Sequence, residues 1–160
     1  MVRVRPYEES DHEFVFGLAA RLTVGIPPWR DERRMLTTAQ KWIEGSIARR
    51  GEAAELFVAV GEADQRLGFA SVSDETHFTG TAQAYIGERV VTREAEGSGV
   101  GRALVLACEQ WARRRGHRIL SLATGAANVR ALTFYRRLGF LDEDVKLVKV
   151  LEDASESPGP

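Results

Sequence analysis

The sequence holds one cysteine in 160 residues, Cys108, which rules out an internal disulfide and has no neighbours at zinc-ligand spacing. A reducing, cytoplasmic setting is therefore expected, with no metal. An excess of charge of either sign is also lacking: 22 lysines and arginines face 23 aspartates and glutamates, for a net charge of −1. Without a basic field, nucleic acid is not an expected partner. Long apolar runs are missing too, since none approaches the ~20 residues of a bilayer-spanning helix. The opening "MVRVRPYEESD" is charged where a secretory signal has its apolar core, so a membrane partner is not expected either. His12 and His117 form no constellation with serine or cysteine, which argues against triad chemistry.

What is present suits one domain: the length is too short for two, and 44% apolar residues can fill a core. "VRVRPY" alternates as a short strand, and "ESDHEFVFGLAARL" carries Phe14, Leu18 and Leu22 at helical spacing behind Ser10 or Asp11 as a cap. Pro27 and Pro28 interrupt that helix, and a second resumes near Asp31. From Ala54, "ELFVAVGEADQRLGFASVSD" reads as two strands around a turn at 62–66, followed by a polar loop, "ETHFTGTAQ", and a strand, "AYIGERVV". "VGRALVLACEQWARRRG" is a helix ended by Gly116, with Cys108 on its core stripe beside Leu104 and Trp111. "HRILSLATG" is a further strand, "NVRALTFYRRLG" a short helix, "DEDVKLVKVL" a last strand, and "EDASESPGP" a flexible tail. The order predicts an α/β (α+β mixed) sheet with helices packed on its faces.

One stretch asks for a ligand. In "EGSGVGRAL", glycines 97, 99 and 101 lie between a strand and a helix, where unpartnered helix-start amides attract anions and missing Cβ atoms let an anion approach. A dinucleotide fingerprint fails in either register, because Arg102 or Leu104 stands where its last glycine belongs. A nucleoside-triphosphate loop fails for want of Gly-Lys followed by serine or threonine. Arg102 in the first helical turn opposes the helix dipole unless an anion pairs with it. A tight turn with a solvated arginine remains the plainer alternative.

"AYIGERVVTREAEGSGVGRALV" together with "ANVRALTFYRRLGF" resembles the two signature segments of the GNAT superfamily, the acetyl-CoA-dependent N-acetyltransferases. The family's loop pattern is Gln or Arg, two residues, Gly, one residue, then Gly or Ala. Its glycine places fall on Gly99 and Gly101, and its first place falls on Glu96, acidic where the family prefers a basic or amide residue. The resemblance runs through most of the chain and is weakest over 23–50 and in the tail. It implies one N-acetyltransferase domain over 1–151 with a flexible tail over 152–160. It also implies a GNAT-like central mixed, mostly antiparallel sheet, helices on both faces, and splayed fourth and fifth strands, placed here at 84–91 and 117–123.

The implied co-substrate is acetyl-CoA. By resemblance, the backbones of Val90, Val91 and Thr92 pair with its pantetheine arm, and amides of Gly97, Ser98, Gly99, Val100, Gly101 and Arg102 hold its pyrophosphate, with Asn128 and Tyr135 also touching it. Tyr135 takes the family's general-acid place, and a phenol, ionising near pH ~10, keeps its proton at neutral pH. Glu88 takes the place of the base that deprotonates the amine. Each has a plainer reading from its own spacing: Tyr135 a core aromatic in line with Ala131 and Leu138, Asn128 a helix cap, Glu88 a solvated strand carboxylate. Parity cannot place Glu88, because the family commonly has a bulge there. Acceptor-facing candidates are Trp29, Asp74, Glu75, His77 and Phe78.

The resulting expectation is acetyl transfer to a primary amine, small-molecule or peptide. The alternatives are a non-catalytic acyl-CoA sensor, to which Glu96 lends support, and a nucleotide-binding domain. A homodimer is compatible with these letters, which specify no interface.

Overall fold

In the computed structural model, which describes residues 1–151, a five-stranded sheet runs in the order β1 (Arg3–Pro6), β2 (Ala54–Val60), β3 (Arg66–Thr76), β4 (Ala82–Val91), β5 (Leu120–Leu122). The first three pairings are antiparallel and the last is parallel, which makes the sheet mixed as expected. The expected tail over 152–160 lies outside the described residues. Four helices accompany the sheet: α1 (His12–Leu18), α2 (Glu32–Arg49), α3 (Val100–Arg114) and α4 (Val129–Arg137).

Helices cover both faces, and β2 shows why its letters lack alternation. Phe57 and Ala59 join a core with Leu104, Cys108 and Tyr135, while Leu56, Val58 and Val60 join a second core with Val15 and Ile43. A strand buried on both sides reads as one apolar run. On α3 the buried stripe is Val100, Leu104, Cys108 and Trp111, spaced by a helical turn. Cys108 is core as expected, and burial pushes its thiol up to about 12.

Asp11, expected as a cap, does more than end a turn. It is buried and accepts from Arg5 at 2.7 and 3.0 Å, from Arg66 at 2.6 Å and from the Glu8 amide at 2.8 Å. Those donors hold its carboxyl at about 2 against the burial that would raise it. The cluster ties the start of α1 to β1 and β3. The second helix starts where expected, with Asp31 accepting from the Arg34 amide at 2.9 Å.

Three expectations need correction. The polar loop shrinks to 77–81, because β3 continues to Thr76 and β4 begins at Ala82. The fifth strand, expected over 117–123, is confined to Leu120–Leu122. The last strand, expected at "DEDVKLVKVL", does not form, and Leu141, Val145, Leu147 and Val150 are exposed. Its letters explain this: apolar residues hold odd positions at 145 and 147, then even ones at 148 and 150, so no single face could be buried.

Candidate active site

The strand β4 has two unlike halves. Its pairing with β5 runs from Ala84–Leu120 to Ile86–Leu122 and stops, so residues 87–91 have no strand partner on that side among the described residues. On the β3 side, Ala70 faces Arg89 and Val72 faces Ile86, leaving Ser71 opposite both Gly87 and Glu88. That two-against-one arrangement is a β-bulge. It reverses the strand's faces: Ile86 packs in the core under α3, and Val90 in the core under α1 and α2.

The bulge buries Glu88. Its side chain is 3% exposed and accepts from the Ser71 hydroxyl, whose oxygen in turn accepts from the Glu88 amide at 3.0 Å. Burial pushes its carboxyl above the usual carboxylate range, partly countered by Ser71 and by the charge of Arg49. Glu88 is thus not the solvated strand residue that its letter alone allowed.

Tyr135 lies on the opposite face of β4, 8% exposed, edge-on to Phe134 and Phe140 at 5.1 and 5.5 Å between ring centroids. It is a core aromatic with an occupied hydroxyl: Arg89 Nε donates to its oxygen at 2.7 Å. Asn128 caps α4, its Oδ1 accepting from the Ala131 amide at 3.2 Å. Arg89 was missed in the sequence, where the only signal was a cation within an apolar strand and the bulge hid its direction.

The glycine loop is open. Gly97 and Gly99 have φ of 75° and 86°, and a Cβ on either would meet nothing within 4 Å, so conformation alone requires glycine there. No side chain caps α3, and the amides of Val100, Gly101 and Arg102 find no backbone acceptor among the described residues. Gly101 is required by space, since a Cβ there would come 2.6 Å from Arg89 Nη1 and 3.3 Å from Phe134 Cζ. Ser98 and Arg102 are exposed beside the loop.

The three expected pantetheine partners differ in direction. The Thr92 amide is taken, donating to Leu67 O at 2.8 Å. Alternation along an antiparallel pair then turns Val90 toward β3, and leaves Val91 and Arg89 with main-chain groups on the open side. Glu96 is also placed unexpectedly. Arg130 Nη1 donates to it at 3.1 Å and Arg21 pairs with its other oxygen, both lowering its pKa.

Of the acceptor-facing candidates, Asp74 and Glu75 line a common cavity with Thr76, Ala82, Arg115 and His117. Asp74 is bound by Arg115 at 2.8 Å and His117 at 2.6 Å, which hold its carboxyl at about 2. Glu75 accepts from Gln83 at 2.7 Å, and His77 turns to Thr79 at 2.6 Å. Trp29 and Phe78 are exposed. Among the described residues no group of His, Cys, Asp and Glu could hold a metal, and no helix is long and apolar enough to cross a membrane.

Over 62 residues the chain is 40% identical to an uncharacterised N-acetyltransferase of Methanocaldococcus jannaschii, a match spanning 39% of this chain and 27% of that relative. A provisionally assigned acetyl transferase of Pyrococcus furiosus has the same fold, with a TM-score of 0.76 at 22% identity over 94% of this chain and all of that one. So does an aminoglycoside N-acetyltransferase solved in complex with CoA, with a TM-score of 0.68 at 18% identity over 96% and 95% of the two chains. The model of the Acetyltransferase (GNAT) family matches residues 17–140. With the parted fourth and fifth strands and the open glycine loop, this match places the chain in the GNAT acetyltransferase family.

Proposed function

We propose that the chain is a cytoplasmic enzyme of one domain, residues 1–151, that moves the acetyl group of acetyl-CoA to a primary amine. The observation that carries this reading is the stretch of β4 at 87–91 left without a strand partner on the β5 side, with buried Glu88 on one face and Tyr135 on the other. Acetyl-CoA, when bound, supplies an activated acyl group on a thiol that leaves readily. The residues present fit it: the amides of Gly97, Gly99, Val100, Gly101 and Arg102 lack backbone partners among the described residues and suit a diphosphate, whereas that of Ser98 donates to Ala95 O at 3.3 Å, and the gap-facing main chain of Val91 suits the amides of the pantetheine arm.

The remaining tasks fall to this chain's side chains. Glu88 takes the proton of the incoming amine, directly or through water; burial that disfavours its charged form makes it a better base at neutral pH. Tyr135 gives its proton to the departing sulfur. A gap-facing backbone N–H beside Val90 polarises the carbonyl. The sensor alternative loses its support, because two arginines neutralise Glu96.

The acceptor is a primary amine, and no narrower class is proposed. Asp74 and Glu75 have partners of their own and supply no free anionic pocket. Thiol release from acetyl-CoA across polyamines, amino sugars, aminoglycosides and lysyl peptides tests the proposal. At least one amine should accelerate release, and Tyr135→Phe should lower kcat by about 100-fold, within the usual range for a proton donor, while CoA affinity holds. A protein that binds CoA and releases thiol with no amine would be a sensor after all.

A further inference from the structure

Arg89 is a half-buried cation whose hydrogen-bond partner among the described residues is a phenol. Its Nε donates to Tyr135 at 2.7 Å, and its Cζ stands 4.3 Å from the Phe134 centroid and 5.0 Å from that of Tyr135. Room for its Nη1 comes from Gly101, where a Cβ would approach to 2.6 Å. Desolvating a guanidinium is costly, and packing alone would be served as well by leucine or methionine. An aromatic cradle, a glycine that makes space and an aimed Nε together fix one geometry for the Tyr135 oxygen.

We propose that Arg89 is the positioning residue of the site's proton donor, holding the Tyr135 hydroxyl so that its proton points at the departing sulfur. This rests on the acetyl-transfer reading above. A phenol has one proton and two acceptor positions. With one position filled by the Nε–H of Arg89, whose guanidinium has donors and no acceptor, the O–H is left to donate into the gap. The amine lone pair forms the new C–N bond as C–S breaks, with the bonding pair leaving on sulfur. The phenolic proton passes to that sulfur, and the phenolate, steadied by the guanidinium, recovers a proton from water. The proton of the amine leaves through Glu88.

The test uses acetyl-CoA with hydroxylamine, a small amine largely neutral near pH 7, and reads thiol release above the uncatalysed rate. Arg89→Met should lower kcat by about 10-fold or more while KM for acetyl-CoA stays within about twofold, and Arg89→Lys should recover part of the loss. If Arg89 acts through Tyr135, adding Arg89→Met to Tyr135→Phe should cost nothing further. Arg89→Gln, which keeps a donor without charge, repeats the cycle should the methionine variant fail to fold, and melting curves check each protein. An Arg89→Met enzyme with wild-type kcat beside a slow Tyr135→Phe overturns this inference alone, as does the same fold-loss in both backgrounds. A Tyr135→Phe enzyme as fast as wild type removes the phenol from the chemistry and takes the inference with it. Absence of any wild-type rate above background, with hydroxylamine and with every amine of the panel above, overturns the function on which it rests.

Discussion

The two ends of β4 are built on opposite terms. From Ala82 to Ile86 the strand is paired to β3, and over 84–86 also to β5; nearby polar groups are satisfied within the protein, Asp74 by Arg115 and His117, Gln83 by Glu75 and Ser121. From 87 to 91 one side is unpaired, a carboxyl is buried with a hydroxyl for partner, and a helix start faces it uncapped. Unmet hydrogen-bonding capacity costs stability unless something arrives to meet it. The closed end holds the sheet together, and the open end holds places for a ligand.

The largest test of that contrast is Glu88→Gln. At the open end, a residue kept for chemistry should be one the fold tolerates poorly. Its carboxyl titrates above 4.5 when folded, so between the unfolded and folded values the native state binds more protons, and stability falls as pH rises through that window. Neutral glutamine escapes the penalty. The variant should lose activity by about 100-fold or more and yet melt higher than wild type at pH 7, while wild-type activity rises with pH along an acid limb displaced above 4.5. Calorimetry and a pH series of thiol release check both. A lower melting temperature with unchanged activity would reverse the roles assigned to the two ends.

Asp74→Asn is the counterpart at the closed end. Asp74 titrates near 2 folded against 3.8 unfolded, so its contribution is complete above 3.8 and is lost as pH falls through about 2. At pH 7 asparagine should cost about 1 kcal/mol, a modest sum for a partly exposed cluster, and lower Tm by about 2–4 °C. Turnover should be unchanged. A drop in kcat without loss of Tm would return Asp74 to the acceptor site.

Local signals were legible in the letters and two-strand signals were not. The glycine loop, the start of the second helix near Asp31, the Asn128 cap and the α3 stripe depend on neighbours within a few residues, and each stands where expected. The bulge needs Ser71 set against Gly87 and Glu88, a register no single strand contains. Arg89 and Tyr135 meet across 46 residues, and Arg21 and Glu96 across 75. "DEDVKLVKVL" misled by composition: β-branched residues raise strand propensity, but a strand also needs one face to bury.

Glu96 yields the smallest expected effect and the finest comparison, because it stands at the rim of the open end while being satisfied like a residue of the closed one. An unpaired carboxylate there would repel a diphosphate, whereas one held by Arg21 and Arg130 leaves a local balance of one positive charge. Glu96→Gln removes the anion, frees both guanidinium groups, and should tighten CoA binding by no more than about fivefold, the order of one charge pair in water. The gain should shrink as salt rises toward 1 M, where screening reaches ~3 Å. Titration calorimetry at two ionic strengths separates the cases. Weaker binding by the variant would mean that the carboxylate holds the arginines in a productive place, and that the rim depends on internal pairing as much as the closed end does.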